Sequence, residues 1–181
     1  PDTAAGTLAL FGQSPQALKR GPVEALGAGV ELMPGDVALR GNFATIDATG
    51  NVTDRRAGRI RGDSEALAAA LSHVRLPGDL DQLVLRGEGL SPAVRGSDPG
   101  DGAVPGPTLT PRPLDPLDES AVFTARVLAA FEQRAREILA DHPVNAERRE
   151  KGQPPANTIL TRGAGRVHRL MTLEEAGLPL R

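Results

Sequence analysis

Cysteine is absent from the 181 residues, which excludes disulfides, thiolate nucleophiles and Cys-ligated zinc. Tryptophan and tyrosine are absent too, and four phenylalanines are the whole aromatic content. The core must therefore be built from Ala, Leu, Val and Ile. There is no basic excess, with Lys+Arg 21 against Asp+Glu 23, so a surface for neutralising a run of nucleic-acid phosphates is not expected. No apolar run approaches the roughly 20 residues that a membrane span needs. No basic-then-apolar leader opens the chain, so secretion is not signalled and a cytoplasmic location is expected. Pro1 follows no Met, which reads as a processed or excised segment. The three histidines, His73, His142 and His168, are scattered without a matching carboxylate spacing and make no metal motif.

What is present alternates irregularly between strand and helix patterns. The length suits one domain, or one domain with short leftovers of another. Pro22 predicts a short helix ending in the Gly27–Gly29 region, and Pro34-Gly35 a turn. Val37 to Ile46 is rich in β-formers and reads as a strand, followed by a hairpin turn at Thr49-Gly50-Asn51. Asp63 or Ser64 can cap a helix through Val74, with Leu67, Leu71 and Val74 on one face. Leu83 to Leu85 reads as a short buried strand. Seven prolines between 91 and 117 predict a long irregular segment. The strongest helix follows, capped by Asp118 and running from Glu119 to Ala140. Phe123, Val127, Phe131, Ala135, Ile138 and Leu139 form its apolar face, and Glu132 lies with the charged residues opposite. Pro143 opens a second short helix, and Thr158 to Thr161 is a strand ending at Gly163-Ala164-Gly165. The expected fold class is mixed α/β (α+β), a sheet with an antiparallel hairpin and packed helices.

The densest charge feature is Arg55-Arg56-Ala57-Gly58-Arg59-Ile60-Arg61. Four guanidiniums within seven residues can grip a phosphate or carboxylate bidentately, and Asp54 can orient one of them. A solvated loop with its charges facing water is the competing reading. Gly163-Ala164-Gly165, flanked by Arg162 and Arg166, has some of the character of a phosphate loop, but a strand-to-loop turn explains it more simply. Gly87-Glu88-Gly89 and Ser97-Asp98-Pro99 read first as turns. His142 and Asn145 end the long helix, either as helix-terminus chemistry or as a polar pair facing a ligand. Thr3, with Asp2 before it, reads as an N-cap or as a hydroxyl at a positive helix end.

Several stretches in order resemble the archaeal-type cofactor-independent phosphoglycerate mutases of the alkaline phosphatase superfamily. They are Arg20-Gly21-Pro22-Val23-Glu24-Ala25, Pro34 to Thr45, Asp54 to Ile60, Gly87 to Ser91, Ser97-Asp98-Pro99, His142 to Asn145 and Pro154 to Asn157. The resemblance implies interconversion of 3-phosphoglycerate and 2-phosphoglycerate through a phospho-enzyme. It implies two divalent metal ions, usually manganese, with magnesium or zinc as alternatives, in a phosphatase-like domain. It also implies an insert domain that closes over the glycerate so that water does not intercept the phosphoryl group. Residues 34–156 correspond to that insert, 1–33 to a remnant of the phosphatase-like domain and 157–181 to a return segment.

On the same resemblance Thr3 falls on the nucleophile, where the family usually carries Ser followed by an acidic residue; Ala4 stands in the acidic place. Gly100 stands where a His is expected. Arg40, Asn42, Asp54, Arg56 and Arg59 are expected on the substrate side, with His142, Asn145 and Arg162 as further substrate contacts. The family's metal-ligand regions have no counterpart here, so no metal ligand is assigned. The chain alone is expected to bind no metal and to be inactive without the rest of the phosphatase-like domain, its expected partner besides phosphoglycerate. Two other readings remain open at this point: a non-catalytic binding or regulatory module derived from the family, and a phosphatase or phosphonate-processing relative.

Overall fold

The computed structural model describes residues 19–72, 82–100 and 104–167. The fold is organised around one long strand, β1 (Val37–Ile46), whose sequence is mostly buried along its length. Two further strands pair along it, both antiparallel. β7 (Thr158–Gly165) runs from Ala44↔Thr158 to Ala38↔Gly165, and β3 (Gln82–Leu85) pairs from Val37↔Leu85 to Arg40↔Gln82. The far end of β1 turns through Asp47, whose carboxylate accepts from the Thr49 and Asn51 amides, into β2 (Asn51–Asp54). β5 (Gly106–Pro107) then adds to β2, giving five strands in one sheet among the described residues. β4 (Val94–Arg95) and β6 (Arg112–Pro113) make a separate ribbon. The proline-rich segment thus spends its backbone in two short pairings.

Helix α3 (Glu119–Ala140) covers this sheet. Asp118 caps it by accepting from the Ala121 amide at 2.9 Å. The helix buries Ala121, Ala125, Leu128, Phe131, Ala135 and Leu139 against β7, β6 and β4, and Phe43 is the other buried aromatic among the described residues. This face is rotated from the expected one: Phe123 is 48% exposed, and Glu132, expected in solvent, is buried. Small residues on the inward row let the helix approach the sheet closely, and Thr124 and Glu132 find hydrogen-bond partners there, so the larger apolar side chains turn partly outward.

Helix α1 (Arg20–Gly27) begins two residues before Pro22 and packs on β1 and β7. Gly21 makes that packing possible: a Cβ there would lie 2.2 Å from the Ala38 carbonyl oxygen. Helix α2 (Ser64–Ser72) buries Leu67 and Leu71 as expected, and Val74 lies outside the described residues. Helix α4 (Pro143–Glu150) starts with Pro143 at its first position and His142 as its cap. β7 does not stop at Thr161 but continues through Gly163, Ala164 and Gly165, so the glycine cluster is strand rather than loop. Residues on both sides of the expected insert, α1 and β7, therefore pack on the same β1. Among the described residues no helix is long and apolar enough to cross a membrane.

Candidate functional site: an arginine cleft

The antiparallel register sets Arg40 of β1 directly opposite Arg162 of β7. Directly opposed residues of an antiparallel pair share a face, so two guanidiniums are held together where like charges repel. Arg40 and Asn42, two residues apart on β1, share that face too, and Arg40 Nε donates to Asn42 Oδ1 at 2.9 Å. Arg20 joins from the first turn of α1.

The loop after β2 brings the remaining cations. Asp54 accepts from the amides of Arg56 and Gly58, both at 2.8 Å, and folds the loop back. Ala57, Gly58 and Arg59 take φ of 44°, 68° and 57°, three consecutive left-handed residues of which only one is glycine. Such a conformation persists only where its surroundings over-determine it. Here the second support is Arg148 of α4, whose buried guanidinium donates to the Ala57 carbonyl at 2.8 Å, to Pro154 O at 3.0 Å and to Asp63 Oδ2 at 3.0 Å.

The result is a cleft of about 560 Å³ lined by Arg20, Arg40, Arg162 and the loop residues Arg55, Arg56, Arg59 and Arg61, together with Asn42, Phe43, Ile60 and Ser64. Among the described residues no carboxylate lines it. Two carboxylates hold the cations in place. Glu24 on α1 accepts from Arg20 and from Arg40, the latter at 2.7 Å. Asp98 takes the Arg55 guanidinium bidentately, Nε to Oδ1 and Nη2 to Oδ2, each 2.7 Å, with Arg162 Nε 3.5 Å away. The side chains of Asp98 and Arg55 are 2% and 8% exposed, so this pair is buried.

The protonation equilibria follow from that arrangement. Burial alone would raise the Asp98 carboxyl, but the Arg55 hydrogen bonds, the Gly100 amide and the charges of Arg55 and Arg162 outweigh it and hold the group below the usual range. Glu24 is lowered in the same way, burial being outweighed by Arg20 and Arg40. The Arg162 guanidinium is pushed down by burial first. Arg20, Arg40 and Arg55 add to that, against the pull of Asp98. Its Nε is buried without a hydrogen-bond acceptor. That Nε lies 3.5 Å from Asp98 Oδ2, and the guanidiniums that line the cleft give an oxyanion placed there excess positive charge.

Of the residues named from sequence, Arg40, Asn42, Arg56, Arg59 and Arg162 come together at the cleft. The Asp54 carboxylate is taken up by the loop's own amides, those of Arg56 and Gly58. It caps the loop and lines a shallower hollow with Thr53, Arg55, Arg56 and Arg59. His142 and Asn145 are not brought to the cleft. His142 Nδ1 accepts from the Val144 amide, and the buried Asn145 amide bridges Leu139 O and Ala156 O while its oxygen accepts from Ala156 N. Their polar atoms brace the junction of α3 and α4. Thr3 lies outside the described residues. Arg20, Arg148, Asp98 and Glu24 were not singled out as site residues, because each reaches the loop or the strand pair only through tertiary structure. Among the described residues no group of three or more His, Asp and Glu side chains could hold a metal ion, so the two-metal site implied by the family resemblance finds no ligand set there.

Known proteins resemble this chain over most of its length. A family model described as 2,3-bisphosphoglycerate-independent phosphoglycerate mutase matches residues 1–145. A protein of that name from Methanocorpusculum labreanum is 42% identical over 93% of this chain and 44% of its own length. Another from Ignicoccus hospitalis is 45% identical over 97% of this chain and 46% of its own. The solved structure of a cofactor-independent phosphoglycerate mutase from Thermoplasma acidophilum superposes with a TM-score of 0.73 at 38% identity, over 97% of this chain and 49% of that one. The chain thus spans about half the length of the curated relatives it matches. It belongs to the 2,3-bisphosphoglycerate-independent phosphoglycerate mutase family.

Proposed function

We propose that this chain is the substrate-holding part of a phosphoglycerate mutase that interconverts 3-phosphoglycerate and 2-phosphoglycerate through a phospho-enzyme. The observation that carries the reading is the cleft itself: seven arginines from α1, β1, β7 and one loop, four of them tethered by Glu24 and Asp98, with no carboxylate among the described lining residues. The substrate has two anionic ends, a phosphate and a carboxylate. Guanidiniums match both because their planar forks bind oxyanions bidentately. Asn42, fixed by Arg40, is placed to bond a neutral hydroxyl or carboxylate oxygen.

In this reading residues 34–156 cover the substrate, and the flanking segments lead into a phosphatase-like domain. The Thr3 hydroxyl is the nucleophile. Its oxygen gives up its proton as it bonds phosphorus, the bond from phosphorus to the glycerate oxygen breaks, and that oxygen takes up a proton in exchange. The reverse step delivers the phosphoryl group to the other glycerate oxygen. The cleft's part is to hold the glycerate between the two steps and to exclude water, because hydrolysis of the phospho-enzyme is the competing fate. Divalent metal ions would take their ligands from outside the described residues. The chain by itself is proposed to bind phosphoglycerate without turning it over, in the cytoplasm.

Product analysis of the intact protein supplied with 3-phosphoglycerate tests this. Formation of 2-phosphoglycerate without free phosphate supports the mutase; stoichiometric free phosphate would make the protein a phosphatase instead.

A further inference from the structure

We infer that Glu132 is a positioning residue for the arginine cleft: by holding the Ser97 and Thr161 hydroxyls it fixes the turn that carries Asp98, and through Asp98 the guanidiniums of Arg55 and Arg162. The inference rests on the cleft being the phosphoglycerate site and adds a residue to its machinery that lies on the far side of the sheet strand, on α3.

Glu132 is 1% exposed. A carboxylate so deeply buried is costly and ordinarily meets a cation. Here its Oε1 accepts from two hydroxyls, Ser97 Oγ at 2.6 Å and Thr161 Oγ1 at 2.7 Å, and its Oε2 has no hydrogen-bond partner. A hydroxyl has one proton to give. Because both protons go to Glu132, the lone pairs of each oxygen remain for the backbone of the other segment. Thr161 N donates to Ser97 Oγ at 3.1 Å, and Ser97 N to Thr161 Oγ1 at 3.4 Å. Asp98 N completes the seam on Thr161 O at 3.1 Å. Gly96 presses on the same carbonyl, since a Cβ there would lie 2.1 Å from it. One residue beyond each hydroxyl stand Asp98 and Arg162, which face each other at 3.5 Å, and Asp98 in turn carries Arg55. The carboxylate on α3 is therefore the common acceptor that sets both hydroxyl rotors, and with them the spacing of the ion pairs in the cleft. Burial also raises its carboxyl to about 7 against the two hydroxyl bonds and the Arg136 charge, in keeping with an acceptor retained at a cost to the core.

The test compares Glu132→Gln, Glu132→Ala and Ser97→Ala with the parent protein. The readouts are the Arg55 Nε–Hε resonance in the ligand-free protein and sulfate affinity by titration. Glutamine keeps a carbonyl oxygen in the place of Oε1, so Glu132→Gln should retain the parent Arg55 resonance and a sulfate Kd within about threefold. Glu132→Ala should shift or broaden that resonance and weaken sulfate binding by about tenfold or more, with the amide spectrum still that of a folded chain. Unchanged resonance and affinity in Glu132→Ala would overturn the assignment. Should Glu132→Ala fail to fold, Ser97→Ala removes one link only, and an unmoved Arg55 resonance there overturns it equally. If the parent protein binds neither sulfate nor 3-phosphoglycerate, the cleft's proposed function fails, while the Arg55 resonance still decides the role of Glu132.

Discussion

Arg40 and Arg162 are direct cross-strand partners on β1 and β7, so the longest pairing in the sheet places two guanidiniums side by side. Like charges in such positions destabilise a sheet by a fraction of a kcal/mol to about 1 kcal/mol. Glu24 and Asp98 offset part of that, and an anionic ligand would offset the rest. The site is thus built against local stability, and substitution there separates folding from binding.

Arg162→Gln should leave the stability to chemical denaturation within about 1 kcal/mol of the parent, or raise it, because a repulsive neighbour is gone. It should weaken 3-phosphoglycerate binding by about tenfold to a hundredfold, the worth of a charge-assisted hydrogen bond. A large stability loss with unchanged affinity would make Arg162 a structural residue.

Asp98→Asn should behave in the opposite way. It leaves the Arg55 guanidinium buried without its carboxylate, and removing one partner of such a pair costs about 3–5 kcal/mol. The pH dependence has a definite sign. The folded-state Asp98 carboxyl is held below its ordinary value of 3.8, so its contribution is present above that pH and is lost as pH falls through the lower folded value. Acid unfolding of the parent should therefore steepen below about pH 4 relative to Asp98→Asn, as followed by circular dichroism.

Glu132 has the reverse dependence. Its carboxyl is raised from 4.5 to about 7, so the stabilisation of its neutral form is complete below 4.5 and is lost as pH rises through 7. Relative to Glu132→Gln, the parent should lose stability between those values, on the order of 3 kcal/mol in all. Denaturation midpoints of the two proteins at pH 5, 6, 7 and 8 measure it; parallel curves would contradict it.

Gly96→Ala and Gly27→Ala form a matched pair. A Cβ at Gly96 meets the Thr161 carbonyl at 2.1 Å, whereas one at Gly27 meets nothing within 4 Å. The first should destabilise by at least the 1–3 kcal/mol typical of overpacking, roughly, and disturb the Asp98 seam. The second should be neutral or stabilising by a few tenths of a kcal/mol, roughly, as a helical Gly-to-Ala change.

Much of the fold is legible in the residue order because local chemistry decides it. β1 spans the segment rich in β-formers, and α3 starts and ends where Asp118 and the helical periodicity place it. The face of α3 was not legible. Periodicity favours the side with Phe123 and Val127, but close approach to the sheet favours the small residues, and Thr124 and Glu132 gain tertiary partners there from the 91–98 segment and from Thr161 of β7. The site divides along the same line. The loop arginines are neighbours in sequence and announce themselves. Arg20, Asp98 and Arg162 meet them through a helix, a turn and strand register, which no spacing encodes. His142 and Asn145 sit in a conspicuous motif, yet His142 Nδ1 caps a helix and the Asn145 amide makes three backbone bonds.

The most direct test is calorimetric titration of 3-phosphoglycerate into the protein, with Arg59→Ala and Arg162→Gln alongside. The expected result is saturable one-to-one binding that each substitution weakens by about tenfold or more while both variants remain folded. Parent-like binding in both variants, or no binding to a folded parent protein, would contradict the assignment of the arginine cleft as the phosphoglycerate site.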